Sequence, residues 1–173
     1  EADALVEGQK KNPKVVVQIG FQRRSCTRYQ NAIQQIHGGE YGKLRDAYAA
    51  WNLSGGPLGL PDQGTAVWFG RKKLSGDWMI EQACHTWDVL NWVAGKLPIA
   101  ATAVGQTGLF KHLDPDRDVT DYYVAIIEYP DDFTVSYSHN WVCPHKDEGK
   151  FSGVYERIVC EKAGLALNDG KVY

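Results

Sequence analysis

Long apolar runs are missing from this sequence: none approaches the ~20 consecutive residues that span a bilayer, so neither a transmembrane helix nor a membrane partner is expected. Basic clustering is missing too. Lys and Arg number 19 against 21 Asp and Glu, scattered for a net charge of −2, which leaves no electrostatic footprint for nucleic acid. Paired cysteines are absent. Cys26, Cys84, Cys143 and Cys160 form no C-x-x-C pair, which argues against a disulfide scaffold and assigns no compartment. Cys143-x-His145 and Cys84-His85 offer soft ligands without the paired spacing of a structural zinc site, so no metal is expected. Internal repeats and low-complexity segments are lacking as well. What remains is 173 residues, 43% apolar and 23% charged, a balance that suits one globular core.

The most informative stretch is Gly76 to Gly95, GDWMIEQACHTWDVLNWVAG, which predicts one amphipathic helix. Glu81, His85, Asp88 and Trp92 fall within about 60° of one another on its cylinder. Met79, Ile80, Ala83, Trp87, Leu90 and Ala94 form the opposite stripe, expected to face the core. Ser75 or Asp77 caps the start, and Gly95 before Lys96 and Pro98 stops it. By spacing alone, Glu81 and His85 are an i, i+4 pair that needs no chemistry. The three tryptophans around them, Trp78, Trp87 and Trp92, are more typical of a pocket wall.

Before this stretch, EADALVEGQKK predicts the end of a surface helix. After Asn12-Pro13, KVVVQIGF reads as a strand buried on both faces, and together they look like the tail of a parallel α/β unit. Arg24 to His37 has helical spacing stopped by Gly38-Gly39, GKLRDAYAAWNLSG reads as a strand, and Ser54 to Lys73 as a long loop. Beyond the central stretch, PIAATAVGQTGLF, VTDYYVAIIEY and FTVSYSHNWV predict strands, the last two an antiparallel hairpin around Pro130-Asp131-Asp132. VYERIVCEKAGLALNDGKVY gives short strands with turns at Lys162-Ala163-Gly164 and Asn168-Asp169-Gly170. The fold class expected is α+β, a large, mostly antiparallel open sheet with helices on one face.

Four of these pieces together resemble the Gfo/Idh/MocA oxidoreductases. VQIGFQRR is similar to the strand through which that family's chain leaves its nucleotide domain, and HGGEYGKL to the Gly-Glu-x-Gly entry into the large sheet. GDWMIEQACHTWDVLNWVAGKLP resembles the family's Asp-x-x-x-His-x-x-Asp segment, and RIVCEKAGLAL its closing hairpin. The resemblance implies a C-terminal domain of the dihydrodipicolinate reductase-like or glyceraldehyde-3-phosphate dehydrogenase-like kind. Residues 24–173 would form this substrate and oligomerisation domain, cut before its final helix. Residues 1–23 would be the last helix and strand of a Rossmann domain.

Two departures stand beside it. Glu81 occupies the family's Asp position, and neither the Gly-x-Gly-x-x-Gly fingerprint nor the Glu-Lys-Pro segment is present. NAD or NADP is therefore expected in a parent protein and not on this chain alone, which is expected to be inactive. The resemblance implies His85 as the acid–base residue, with Glu81 orienting it or bonding a hydroxyl. Asp88 holds His85 or a neighbouring backbone group, or meets substrate. Arg23 and Arg24 meet substrate or cofactor at the domain junction, or form surface ion pairs. Trp51, Asn52, His139 and Trp141 lie at strand ends facing the cleft. The implied reaction is oxidation of a sugar or polyol hydroxyl, or its reverse. The alternatives are an NAD-dependent glycoside hydrolase of the same fold, or a non-catalytic module forming dimers or tetramers through a sheet face bearing Tyr122, Val124, Ile126 and Glu128.

Overall fold

Alternation along the strands decides which side of the sheet each residue occupies, and so where any site can form. The computed structural model describes residues 2–144 and 149–173. In chain order it has α1 (Ala2–Lys11), a 3₁₀ turn (Gln22–Ser25), α2 (Thr27–His37), β1 (Leu44–Ser54) and 3₁₀ turns over Pro61–Gly70. Then come α3 (Lys72–Ser75), α4 (Trp78–Glu81), α5 (Cys84–Ala94), β2 (Ala100–Thr107), β3 (Thr120–Glu128), β4 (Thr134–Cys143), β5 (Gly153–Cys160), β6 (Gly164–Ala166) and β7 (Lys171–Val172). The strands form one sheet in the order β2-β3-β4-β1-β5-β6-β7. Among the described residues only β1 and β4 pair in parallel. That pairing needs the long helical crossover the sequence places between them.

One face of the sheet is covered. Ala47 and Ala49 of β1, Val135 and Tyr137 of β4 and Ile158 of β5 pack beneath Tyr29, Ile33 and Ile36 of α2 and Val89, Leu90 and Val93 of α5. A second buried cluster, Trp78, Val119 and Trp141, continues the core under the 3₁₀ turns. The opposite face is open: Val104, Val124 and Ile126 are exposed there, and the period of two puts Tyr122 and Glu128 beside them. The β3–β4 hairpin closes where the Tyr129 N–H bonds the Phe133 carbonyl at 2.9 Å, and in its three-residue loop Asp131 and Asp132 have φ of 64° and 61°. The left-handed pair therefore falls on the aspartates, with Pro130 just before them.

Two expectations are corrected. Val15, Val16, Val17 and Ile19 are exposed and form no strand. A β-branched run becomes a strand only where a neighbouring strand takes its backbone N–H and C=O groups, and among the described residues no strand pairs with it; the Val15 N–H and C=O turn back to Asn12 and Gln9. The central stretch is two helices rather than one. Asp77 caps α4, and after Gln82 (φ −114°) the ladder slips, since the Ala83 N–H bonds the Trp78 carbonyl five residues back at 2.8 Å. The Met79 carbonyl freed by this slip accepts the Trp87 indole at 3.2 Å. The slip turns Ile80 outward, 66% exposed, and Thr86, Val89, Leu90 and Val93 form the buried side of α5.

Candidate active site

His85 stands on the first turn of α5, between two aromatic rings. The Phe21 ring meets it edge-on, with centroids 5.9 Å apart and planes at 88°, and the Trp51 indole of β1 stacks on it at 5.9 Å and 23°. Arg23, from the 3₁₀ turn, lies 5.5 Å from the Trp51 ring centroid. Burial, and then the Arg23 charge, hold the imidazole below its ordinary pKa, with Asp88 opposing them. At neutral pH the ring is therefore uncharged and able to accept a proton.

Of the other members of the stripe, Asp88 and Trp92 are engaged by Arg24. Arg24 donates to both Asp88 carboxylate oxygens at 2.8–2.9 Å and lies 5.0 Å from the Trp92 ring centroid. The structure thus places Arg24 and Asp88 in one bidentate ion pair at the edge of α5. Glu81 precedes the helix break. Its Oε2 is buried without a hydrogen-bond partner, as are Gln82 Oε1, Arg23 Nη1 and Trp51 Nε1. Burial raises the Glu81 carboxyl pKa. Together these atoms supply two donors and two acceptors with nothing to pair with in the protein.

Behind Trp51 runs a wall of rings. His139 of β4 stacks on Trp51 at 6.3 Å and 10°, and Trp78 and Trp141 lie 6.5 and 6.2 Å from it. His139 is 0% exposed and Trp141 4%, so both are wall rather than open cleft. The His139 Nδ1 meets the Tyr137 hydroxyl at 3.0 Å, and burial lowers its pKa to about 4. Asn52 lies on the opposite side of the sheet, bonded to Ser138 Oγ at 2.8 Å. Trp51 and Asn52 are neighbours on a strand, and neighbours point to opposite faces. Asn52 therefore belongs to the open face, away from His85.

Two acidic residues outside the predicted site are structural to it: Glu156, which the sequence reading passes over, and Asp77, which it reads as a helix cap. Glu156 of β5 is 0% exposed; it accepts hydrogen bonds from Tyr29 Oη at 2.8 Å and Thr86 Oγ1 at 3.3 Å and lies 3.6 Å from Arg23 Nη2. The alternation Val154, Glu156, Ile158, Cys160 in β5 was its signal, because it puts a carboxylate on the apolar face. Asp77, 4% exposed with φ 78°, accepts from Trp78 N, Thr120 N, Thr120 Oγ1 and the Tyr123 hydroxyl. It fixes α4 to β3. The 3₁₀ segment is tied down in parallel by the buried Arg117–Asp121 pair and by Arg71–Asp114, at 2.9 and 2.6 Å.

Among the described residues no group of three His, Cys, Asp or Glu side chains could hold a metal, and His145 lies outside them. No helix among them is long and apolar enough to cross a membrane.

A search of curated proteins finds no match. Solved structures do match. Myo-inositol 2-dehydrogenase from Lactobacillus plantarum superposes with a TM-score of 0.73 at 18% identity, covering 95% of this chain and 45% of its own. An aldose-aldose oxidoreductase from Caulobacter crescentus, complexed with glycerol, gives 0.72 at 19% identity, covering 94% and 43%. Scyllo-inositol dehydrogenase from Lactobacillus casei, with bound NAD(H) and scyllo-inositol, gives 0.65 at 20%, covering 91% and 43%. The chain thus spans less than half the length of these proteins, and the likeness is one of fold. The family model for the GFO/IDH/MocA C-terminal domain matches residues 29–166, most of the chain, and the chain belongs to the GFO/IDH/MocA family.

Proposed function

We propose that this domain carries the substrate side of an oxidoreductase acting on a sugar or polyol hydroxyl, with His85 as the acid–base residue. The observation that carries the reading is the neutral His85 ring held between Phe21 and Trp51. Removing hydride from a carbinol carbon requires that the hydroxyl proton leave, and an uncharged imidazole beside the hydroxyl takes it. The flat Trp51 indole suits the apolar face of a sugar ring. The unpaired Arg23 Nη1, Trp51 Nε1, Glu81 Oε2 and Gln82 Oε1 complement a ligand rich in hydroxyls, each of which both donates and accepts. Glu81 meets such a hydroxyl rather than the His85 ring.

A nicotinamide, when bound, supplies the hydride acceptor. No Gly-x-Gly-x-x-Gly turn occurs in the 173 residues, so the pyrophosphate lacks its usual receptor here. The dinucleotide is expected to be held by residues other than these, and residues 1–23 are read as the edge of that neighbouring domain. Arg24, bound to Asp88, is not free to meet it without giving up that pair. The test is polyol-dependent reduction of NAD or NADP by a polypeptide that joins this domain to a dinucleotide domain. His85→Ala should lower kcat/KM by about 10²–10⁴-fold, and an unchanged rate would overturn the assignment.

A second reading concerns assembly. The open sheet face carries Val104 at 72%, Val124 at 51% and Ile126 at 44% exposure, a continuous apolar strip across two adjacent strands of the kind that marks an interface. A dimer or tetramer through this face should sediment as such at micromolar concentration, and Val124→Glu with Ile126→Lys should return it to monomer. A wild-type monomer would overturn it.

A further inference from the structure

Glu156 is a buried carboxylate that the proposed chemistry does not use. Its two oxygens are fixed from two helices, Oε2 by the Tyr29 hydroxyl of α2 and Oε1 by Thr86 of α5. Burial, with the Glu156 charge, pushes the Tyr29 phenol up, so Tyr29 stays a donor. A buried anion is strongly destabilising unless a cation lies beside it. Among the described residues the one cation within 4.0 Å is Arg23, at 3.6 Å. That separation is an ion pair rather than a hydrogen bond. The Arg23 Nη1 is buried without a partner, and apart from Glu156 the guanidinium neighbours the Tyr29 phenol and the face of Trp51. Trp51 in turn stacks on His85. The anion is rigid, the guanidinium is at the end of a flexible side chain on a four-residue 3₁₀ turn, and the imidazole is what the guanidinium acts on.

We propose that Glu156 is a positioning residue that pins Arg23 against Trp51 and thereby fixes the cation beside His85. Its functional meaning rests on His85 being the acid–base residue. Its geometry does not. The charged and titratable groups around His85 are Arg23 from the 3₁₀ turn, Glu81 on α4, and Cys84 and Asp88 on α5, the last held by Arg24. Tyr137 and His139 of β4 and Glu156 of β5 lie behind Trp51 and Arg23. Of these, Arg23 is the cation that acts on His85, and burial of Glu156 keeps its own carboxyl above the usual range.

The experiment follows the His85 Cε1–H signal of the 173-residue chain by NMR as pH is varied, without ligand. Glu156→Gln keeps the shape and one acceptor but releases Arg23. The His85 midpoint should then rise toward the ordinary histidine value. Arg23→Gln should raise it likewise, and the double variant should match Arg23→Gln alone, since both remove the same cation. A midpoint that stays put or falls in Glu156→Gln overturns the proposal, because a merely structural carboxylate would alter stability and leave His85 untouched. Should Glu156→Gln fail to fold, the wild type provides the second test. The Arg23 Nε–H group should lose order as the Glu156 carboxyl, followed by its ¹³C signal, takes up its proton, and an Arg23 that stays ordered overturns the idea. A polyol that leaves His85 unmoved while these variants shift it would fell the substrate reading and leave the positioning role standing.

Discussion

Asp77→Ala should be among the most damaging substitutions in this chain, although Asp77 touches none of the groups proposed for chemistry. Its carboxylate accepts from Trp78 N at 2.7 Å, Thr120 N at 3.1 Å, Thr120 Oγ1 at 3.0 Å and the Tyr123 hydroxyl, at 4% exposure. Trp78 N begins a helix, and the Thr120 hydroxyl can rotate to another acceptor. Thr120 N and the Tyr123 hydroxyl remain as donors in a site with little water, and each unpaired donor costs about 1–3 kcal/mol. The expected loss is about 3–5 kcal/mol, at the upper end of single substitutions. Asp77 also has φ 78°, which costs a non-glycine residue about 1 kcal/mol or more. Asp77→Gly should therefore be less harmful than Asp77→Ala by about 1 kcal/mol, although both lose the same carboxylate. Urea denaturation followed by far-ultraviolet dichroism reads both differences from the midpoints, provided m is unchanged. A loss below about 1 kcal/mol in Asp77→Ala, or a glycine variant no better than the alanine one, would refute the reasoning.

His139 ties stability to pH. Its folded pKa of about 4 lies below the ordinary 6.5, so above pH 6.5 both folded and unfolded forms are neutral and its contribution is complete. As pH falls from 6.5 toward 4 the unfolded chain binds the proton first, and stability drops by an amount on the order of 3 kcal/mol. His139→Phe should flatten that part of the urea-midpoint profile, and an unchanged slope would refute it. Gly59 has φ 80°, and a Cβ there would lie 2.3 Å from Gly70 N. Gly59→Ala should loosen residues 55–70 from the core and show as faster proteolysis there. Cleavage at the wild-type rate would count against that packing.

How much of this was legible beforehand follows from how local each signal is. The strands β1, β3 and β4 carry their own β-branched, aromatic and alternating residues, and they lie where the sequence puts them. Val15 to Ile19 carries the same composition, but a strand depends on a partner that the run does not itself encode. The slip at Gln82 leaves no composition mark, because the Met79 carbonyl it frees is satisfied by the Trp87 indole eight residues on. The reading of His85 as the acid–base residue comes from the family pattern, since spacing alone fits a surface pair. Asn52 was grouped with Trp51 against the parity of the strand, and Glu156 was missed although the same parity points to it. The polar side chains that shape the site are set by pairs far apart in sequence, such as Arg23 with Glu156 and Asp77 with Tyr123.

The most direct measurement is a titration of the labelled 173-residue chain with scyllo- or myo-inositol, followed at His85 Cε1–H and Trp51 Nε1–H by NMR. The expected result is saturable movement of both signals, with the indole proton moving downfield as it gains an acceptor, and loss of the response at His85 in Trp51→Ala. Movement confined to other residues, or none at millimolar polyol, would contradict the placement of a hydroxyl-bearing substrate beside His85.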